Sequence, residues 1–207
     1  GEYDRTTHEE IASVGEISSQ GTTYIEGQGY TSIGAQTLGE DVAIDVSGDV
    51  NIKSLELKGE DKFGSSSNNY SLLKETQNAG SEVIGRNSVS ITSGNDVNIS
   101  GSLVGSNGNT IIKAENDINI KNDVNSVYQE SKQKESGILS SYKKETRDYV
   151  EQAVGSNIVG NNIVLKAGDD VNVQASNLIG KEDLNGKGGN IYITSGDDVN
   201  IIEGTLD

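Results

Sequence analysis

The stretch SGNDVNIS at residues 93–100 decides the fold, because the chain writes it again and again. VSGDVNIK (46–53), AENDINIK (114–121), AGDDVNVQ (167–174) and SGDDVNII (195–202) carry the same phrase. Anchoring on the Asp before each apolar–Asn–apolar triplet aligns Asp49, Asp96, Asp117, Asp170 and Asp198. Five residues upstream stand Ile44, Ile91, Ile112, Leu165 and Ile193, and seven upstream stand Val42, Val89, Thr110, Ile163 and Ile191. Downstream come Val50/Ile52, Val97/Ile99, Ile118/Ile120, Val171/Val173 and Val199/Ile201. A later apolar position holds Leu57, Val104, Leu178 and Leu206. A degenerate first copy reads Thr23, Ile25, Gly27, Tyr30, Ile33 and Leu38, with Tyr30 standing where the others have Asp.

Apolar residues at every second position mark strands with one buried face. The shortest spacing, Asp96 to Asp117, is 21 residues. A unit that short cannot bury its own inward face. Stacking successive units does so, which predicts an all-β parallel β-helix in which each turn pairs with the next. Turns about 4.8 Å apart would make six of them a rod of roughly 30 Å. A lumen of Val, Ile, Leu and Ala accounts for an aromatic content of only 4%.

Composition narrows the partners. The net charge is −16, with 32% hydrophobic and 23% charged residues. Nucleic acid and anionic membrane surfaces both need clustered positive charge, so neither is an expected partner. No run of about 18 apolar residues marks a membrane-spanning helix, so direct membrane insertion is not indicated. Cys is absent, and with it disulfide staples. The chain also lacks Met and ends on NIIEGTLD, which reads as an excerpt from the interior of a longer protein.

The Asp column admits two readings. In the first, each Asp accepts hydrogen bonds from backbone N–H groups at its corner, as Asp does in turns. The outward residues Asn51, Asn98, Asn119, Asn172 and Asn200 then form an amide ladder. In the second, the column binds calcium, and Asp96-Val97-Asn98-Ile99-Ser100-Gly101 does look like the opening of a calcium loop. The twelfth position of that loop, however, is Asn107 rather than a bidentate Glu. Stacked carboxylates about 5 Å apart in water repel by only about 1 kcal/mol, so the column does not require a metal. The structural reading is therefore taken, with no metal and no cofactor expected.

Catalytic signatures are missing. The single His8 has no second His at metal-binding spacing. There is no Cys nucleophile, GxSxG elbow or phosphate loop. Arg86 and Arg147 have no repeated acidic cluster beside them, which argues against a β-helical carbohydrate-active enzyme. No catalytic residue is assigned.

Two gaps interrupt the rhythm. Asp49 to Asp96 spans 47 residues and Asp117 to Asp170 spans 53, against the basic 21. The excess predicts insertions at 58–86 and 122–159, and a small one, KEDLNGK, at 181–187. Turns are then expected near 23–41, 42–57, 89–104, 110–121, 163–178 and 191–207, all in one segment covering 1–207. The insertions hold Phe63, Tyr70, Tyr128, Tyr142 and Tyr149, the candidate contact surface. The plainer reading is that these aromatics pair across strands and shape the insertions. SVYQESKQKES alternates like one arm of a β-hairpin. SSYKKETRDYVEQAVG suits either the other arm or a helix running from Ser141 to Gly155. The hairpin is expected, because an insertion must leave and re-enter at adjacent edges.

LGEDVAIDVSGDVNIKSLELKGEDKFGSSSNNYS, then SVSITSGNDVNISGSLVGSNGNTIIKAENDINIKNDVNSVYQESKQKESG, resemble the haemagglutinin repeats of filamentous haemagglutinins and contact-dependent-inhibition exoproteins. The order is telling: a repeat pair, a Lys/Ser-rich interruption, then VGSNIVGNNIVLKAGDDVNV. The resemblance implies a right-handed parallel β-helix on the surface of a Gram-negative bacterium. It also implies export by an outer-membrane two-partner secretion transporter, which suits a chain without Cys. A host or neighbouring-cell component would be the partner. The expected role is an interaction segment that extends an adhesive or toxin-bearing region. The alternative within that family is help in delivering a C-terminal toxin.

Overall fold

The computed structural model describes residues 4–206, and among them the chain forms strands and turns without a helix. Two sheets are parallel and a third is antiparallel. The parallel strands fall into three stacks, which the chain visits in the same order six times. The first stack holds Glu16–Ser18, the starts of Gln36–Val46 and Glu82–Ser93, then Leu103–Ser106, Asn157–Gly160 and Asn177–Gly180. The second holds Thr22–Gly27, the ends of the same two long strands, then Asn109–Ala114, Asn162–Ala167 and Asn190–Thr194. The third holds Tyr30–Ile33, Val50–Lys53, Val97–Ser100, Ile118–Lys121, Val171–Gln174 and Val199–Ile202.

The register follows the repeat. Ile25, Ile44, Ile91, Ile112, Leu165 and Ile193 face one another from circuit to circuit. The strand Asn109–Ala114 shows why: Thr110, Ile112 and Ala114 are buried while Asn109 and Lys113 are exposed. A slip of one residue would turn that whole face to water. Ile91, Ile99, Ile112, Ile120 and Leu165 are fully buried. Each contributes about 1.5–3 kcal/mol by leaving water, and each needs a neighbouring circuit to do so. In the sixth circuit, which is covered on one side only among the described residues, Val199 and Ile201 are exposed.

The first copy is aligned differently from expectation. Tyr30 pairs with Val50 and is buried, its hydroxyl 2.6 Å from Thr37 Oγ1, so it fills the apolar column and Gly29 precedes it in the Asp column. Ser32 points inward and Ile33 outward. Thr37, not Leu38, faces Val83 across the stack. Leu57 also leaves its expected column, because it lies in a strand of the antiparallel sheet. Val83 stands in its place, paired with Val104. Leu206 follows the last strand and is half exposed.

Corners between the third and first stacks decide where the chain departs. Gly34 (φ +57°), Gly101 (φ +52°) and Ala175 (φ +43°) take the left-handed conformation and turn straight into the next circuit. Ser54 and Asn122 occupy the same place and do not, and from them the chain runs outward. Leu55–Ser66 and Asn69–Ala79 pair antiparallel, as do Asp123–Ser136 and Ser141–Val154. The segment 141–154 is thus a strand, paired along its whole length. Val83 and Ile158, within the ranges expected as insertions, are fully buried in the first stack. GSEVIG and GSNIVG re-enter the circuit just as GSLVGS continues it.

The outward strands form one side sheet: 5–8, 55–66, 69–79, 123–136, 141–154 in spatial order. Its continuity has a geometric cause. Departures lie two circuits apart, about 9.6 Å, and a hairpin of two strands is about 9.6 Å wide. Strand 69–79 therefore meets strand 123–136 at bonding distance, from Ser126 opposite Thr76 to Lys132 opposite Tyr70.

Candidate contact surface

The Asp column binds the backbone of the following circuit. Asp49 Oδ1 accepts the N–H of Asp96 (3.2 Å), Asp96 that of Asp117 (3.1 Å), Asp117 that of Asp170 (2.9 Å) and Asp170 that of Asp198 (2.9 Å). Each carboxylate serves the N–H one circuit along, rather than one at its own corner. Asp49 also accepts from Asn95 Nδ2 at 2.6 Å. Beside it runs the amide ladder, in which Asn98 donates to Asn51, Asn119 to Asn98, Asn172 to Asn119 and Asn200 to Asn172, at 2.9–3.2 Å.

Further ladders escaped the sequence reading. Asn162 donates to Asn109 and Asn190 to Asn162 on the second stack. At the corner into the first stack, Ser102 Oγ accepts the N–H of Ser81, Ser156 Oγ that of Ser102, and Ser176 Oγ that of Ser156. Ser81, Ser102 and Ser156 are buried. The signal lies in the sequence as GS or AS before each first-stack strand: AGSEVIG, SGSLVGS, VGSNIVG, QASNLIG.

The outward face of the third stack is not flat. The bases of both hairpins wall it, leaving a groove of about 590 Å³ floored by Asn51, Asn98, Asn119 and Asn172. Lys53, Glu56, Lys121 and Asp123 line its sides. Ser54 and Asn78 tie the two hairpin bases together through Asp123 and Asn125. The groove is polar and open, suited to hydrogen bonding rather than to apolar capture.

The five aromatics do not form one patch. Strand pairing puts Tyr70, Tyr128 and Tyr149 on one face of the side sheet and Phe63 and Tyr142 on the other. Tyr70 and Tyr128 meet at Glu130, donating to it at 2.8 and 2.9 Å, and Arg147 reaches the same carboxylate at 3.4 Å. The Tyr70 hydroxyl, then that of Tyr128, holds the Glu130 carboxyl below its usual range, and both phenols are correspondingly raised. Lys62 lies 5.1 Å from the centre of the Tyr70 ring. Tyr149 donates to Glu151. Phe63, Tyr142 and Tyr149 are about half exposed, while Tyr70 and Tyr128 are partly covered. His8 sits 2.9 Å from Asp61 on the exposed short strand.

The hemagglutinin repeat family matches residues 62–144 and 137–201, two adjoining segments that meet at the tip of the second hairpin. The chain belongs to the hemagglutinin repeat family. Each matched segment carries side-sheet strand and parallel circuits together. Neither the curated proteins nor the solved structures yield a match.

Proposed function

We propose that this hemagglutinin repeat segment is a right-handed, single-stranded parallel β-helix that serves as a rod within a secreted, surface-exposed exoprotein. Six in-register circuits with aliphatic interiors support the architecture, and parallel crossovers are right-handed in nearly all proteins. The host protein is a filamentous-haemagglutinin-type adhesin or a contact-dependent-inhibition exoprotein, exported by an outer-membrane two-partner secretion transporter. The segment extends an adhesive or toxin-bearing region towards a host or neighbouring cell, and it is not an enzyme. The observation that carries this reading is where the side chains go. Inward ones fill the core, while outward Asp and Asn and buried corner Ser bond circuit to circuit.

Antibodies against residues 4–206, applied to intact cells of the source bacterium, should label the surface. Deleting the partner transporter should abolish the label. Confinement of the segment to the cell interior would overturn the reading. Release of new products from bacterial or host polysaccharides by the purified chain would favour a β-helical carbohydrate-active enzyme instead.

A further inference from the structure

The side sheet has two faces and buries neither. Among the described residues, none in strands 5–8, 55–66, 69–79, 123–136 or 141–154 is buried. A sheet ordinarily covers at least one face against another layer. This one carries apolar groups on both: Tyr70, Leu72 and Tyr128 on one, and Phe63, Leu73, Val127 and Val150 on the other. Strands added at either margin would widen the sheet and leave both faces as they are.

The two faces differ in charge. Asp61-Lys62, Lys74-Glu75, Lys134-Glu135 and Arg147-Asp148 are adjacent residues of opposite sign. Strand alternation sends all four cations to the Tyr70 face and all four anions to the Phe63 face. Over the five strands the Tyr70 face holds eight cations and five anions, and the Phe63 face one cation and five anions. We propose that the Tyr70 face of one copy packs on the Phe63 face of a second copy of this chain. Packing like faces together would oppose cations to cations or anions to anions, so charge selects the unlike pair.

The circuits fix the orientation. Packed sheets lie about 10 Å apart. The circuits enclose a buried core between stacks of strands, so they are thicker than one such spacing. Two copies with paired side sheets must therefore hold their circuits at opposite ends. A half-turn about the sheet normal does this, and it keeps unlike faces together. A third copy returns to the side of the first about 20 Å away, which gives its circuits room. The contact is heterologous and repeats along a stack. A half-turn centred between Leu72–Leu73 and Gln129–Glu130 sets Lys62 against Asp148, Arg147 against Asp61, and Lys132 against Glu75, with Tyr70 over Val127.

Sedimentation of the chain should show association that grows with concentration at low salt and falls as salt is raised. Asp148→Lys should weaken it about tenfold by facing Lys62 with a second cation, and adding Lys62→Asp should restore it. The rescue separates a lost contact from a misfolded variant. The chain has no Cys, so introduced cysteines report position cleanly. In a mixture of Leu72→Cys and Gln129→Cys chains, a short bifunctional maleimide should join unlike chains far more often than like ones. A chain that stays monomeric at hundreds of micromolar, crosslinks that favour like chains, or a charge swap that fails to rescue would each overturn the proposal.

Discussion

At the residue scale, the repeat keeps two kinds of position, and they carry different penalties. Inward residues answer to volume and dryness. Ile112→Asp would put a charge in a fully buried site, and loss of cooperative folding is the expected outcome in urea melts. Outward Asp answers to hydrogen bonding. Asp117 accepts the N–H of Asp170, so Asp117→Ala leaves that donor unmet and should cost about 1–2 kcal/mol. Asp117→Asn keeps an oxygen in place and removes one charge from a stack of anions. It should lie within about 0.5 kcal/mol of the parent, a contrast that urea midpoints at fixed slope would read directly. The Asp, Asn and aliphatic columns were legible in the sequence because a strict spacing from one anchor exposes them. The direction of the Asp bonds was not, since the sequence cannot show which circuit's N–H lies nearest each carboxylate. Tyr30 was misplaced for a related reason: an aromatic in a column of Val and Ile looks like an outlier until the Thr37 hydroxyl beside it is seen.

At the scale of elements, a single left-handed residue decides between continuing the coil and leaving it. Gly101→Ala would bring a Cβ within 2.6 Å of Asp123 Oδ2 at φ +52°, and a loss of about 1–2 kcal/mol is expected. The Asp spacings led to insertions expected at 58–86 and 122–159, whereas the outward strands start after Ser54 and Asn122 and the chain is back in the circuits by Val83 and Ile158. GSEVIG and GSNIVG have no preceding Asp–apolar–Asn phrase to mark them as circuit strands. Removing 123–154 takes only side-sheet residues, so the circuits should keep β-rich circular dichroism and cooperative melting. Removing 122–159 also takes Ser156 and the fully buried Ile158, and should destabilise the body markedly. Within the side sheet, Glu130 links three strands. Its carboxyl is depressed when folded, so its contribution is present above the ordinary Glu range near pH 4.5 and is lost as pH falls through the lower folded value. The stability difference between the parent and Tyr128→Phe should therefore shrink on acidification, which melts at pH 7 and pH 3 would show.

At the scale of the whole molecule, the stacked parallel strands carry Asp49, Asp96, Asp117, Asp170 and Asp198 in a line, and that line invites a calcium reading. The repulsion between neighbouring carboxylates is about 1 kcal/mol in water and is screened further by salt. Against it, each carboxylate from Asp49 to Asp170 holds a backbone N–H of the next circuit, a charge-assisted bond worth about 1.5–3 kcal/mol. Metal is therefore not needed to hold the stack together. A ligand bound only by the folded chain would raise its melting temperature in proportion to the logarithm of concentration. Chelator should leave the melting temperature unchanged. Millimolar calcium should do no more than magnesium at equal ionic strength, because both would act only by screening the net charge of −16. A rise specific to calcium, abolished by Asp96→Asn and Asp117→Asn together, would show that the column coordinates the ion, and the role assigned to these carboxylates would have to be redrawn.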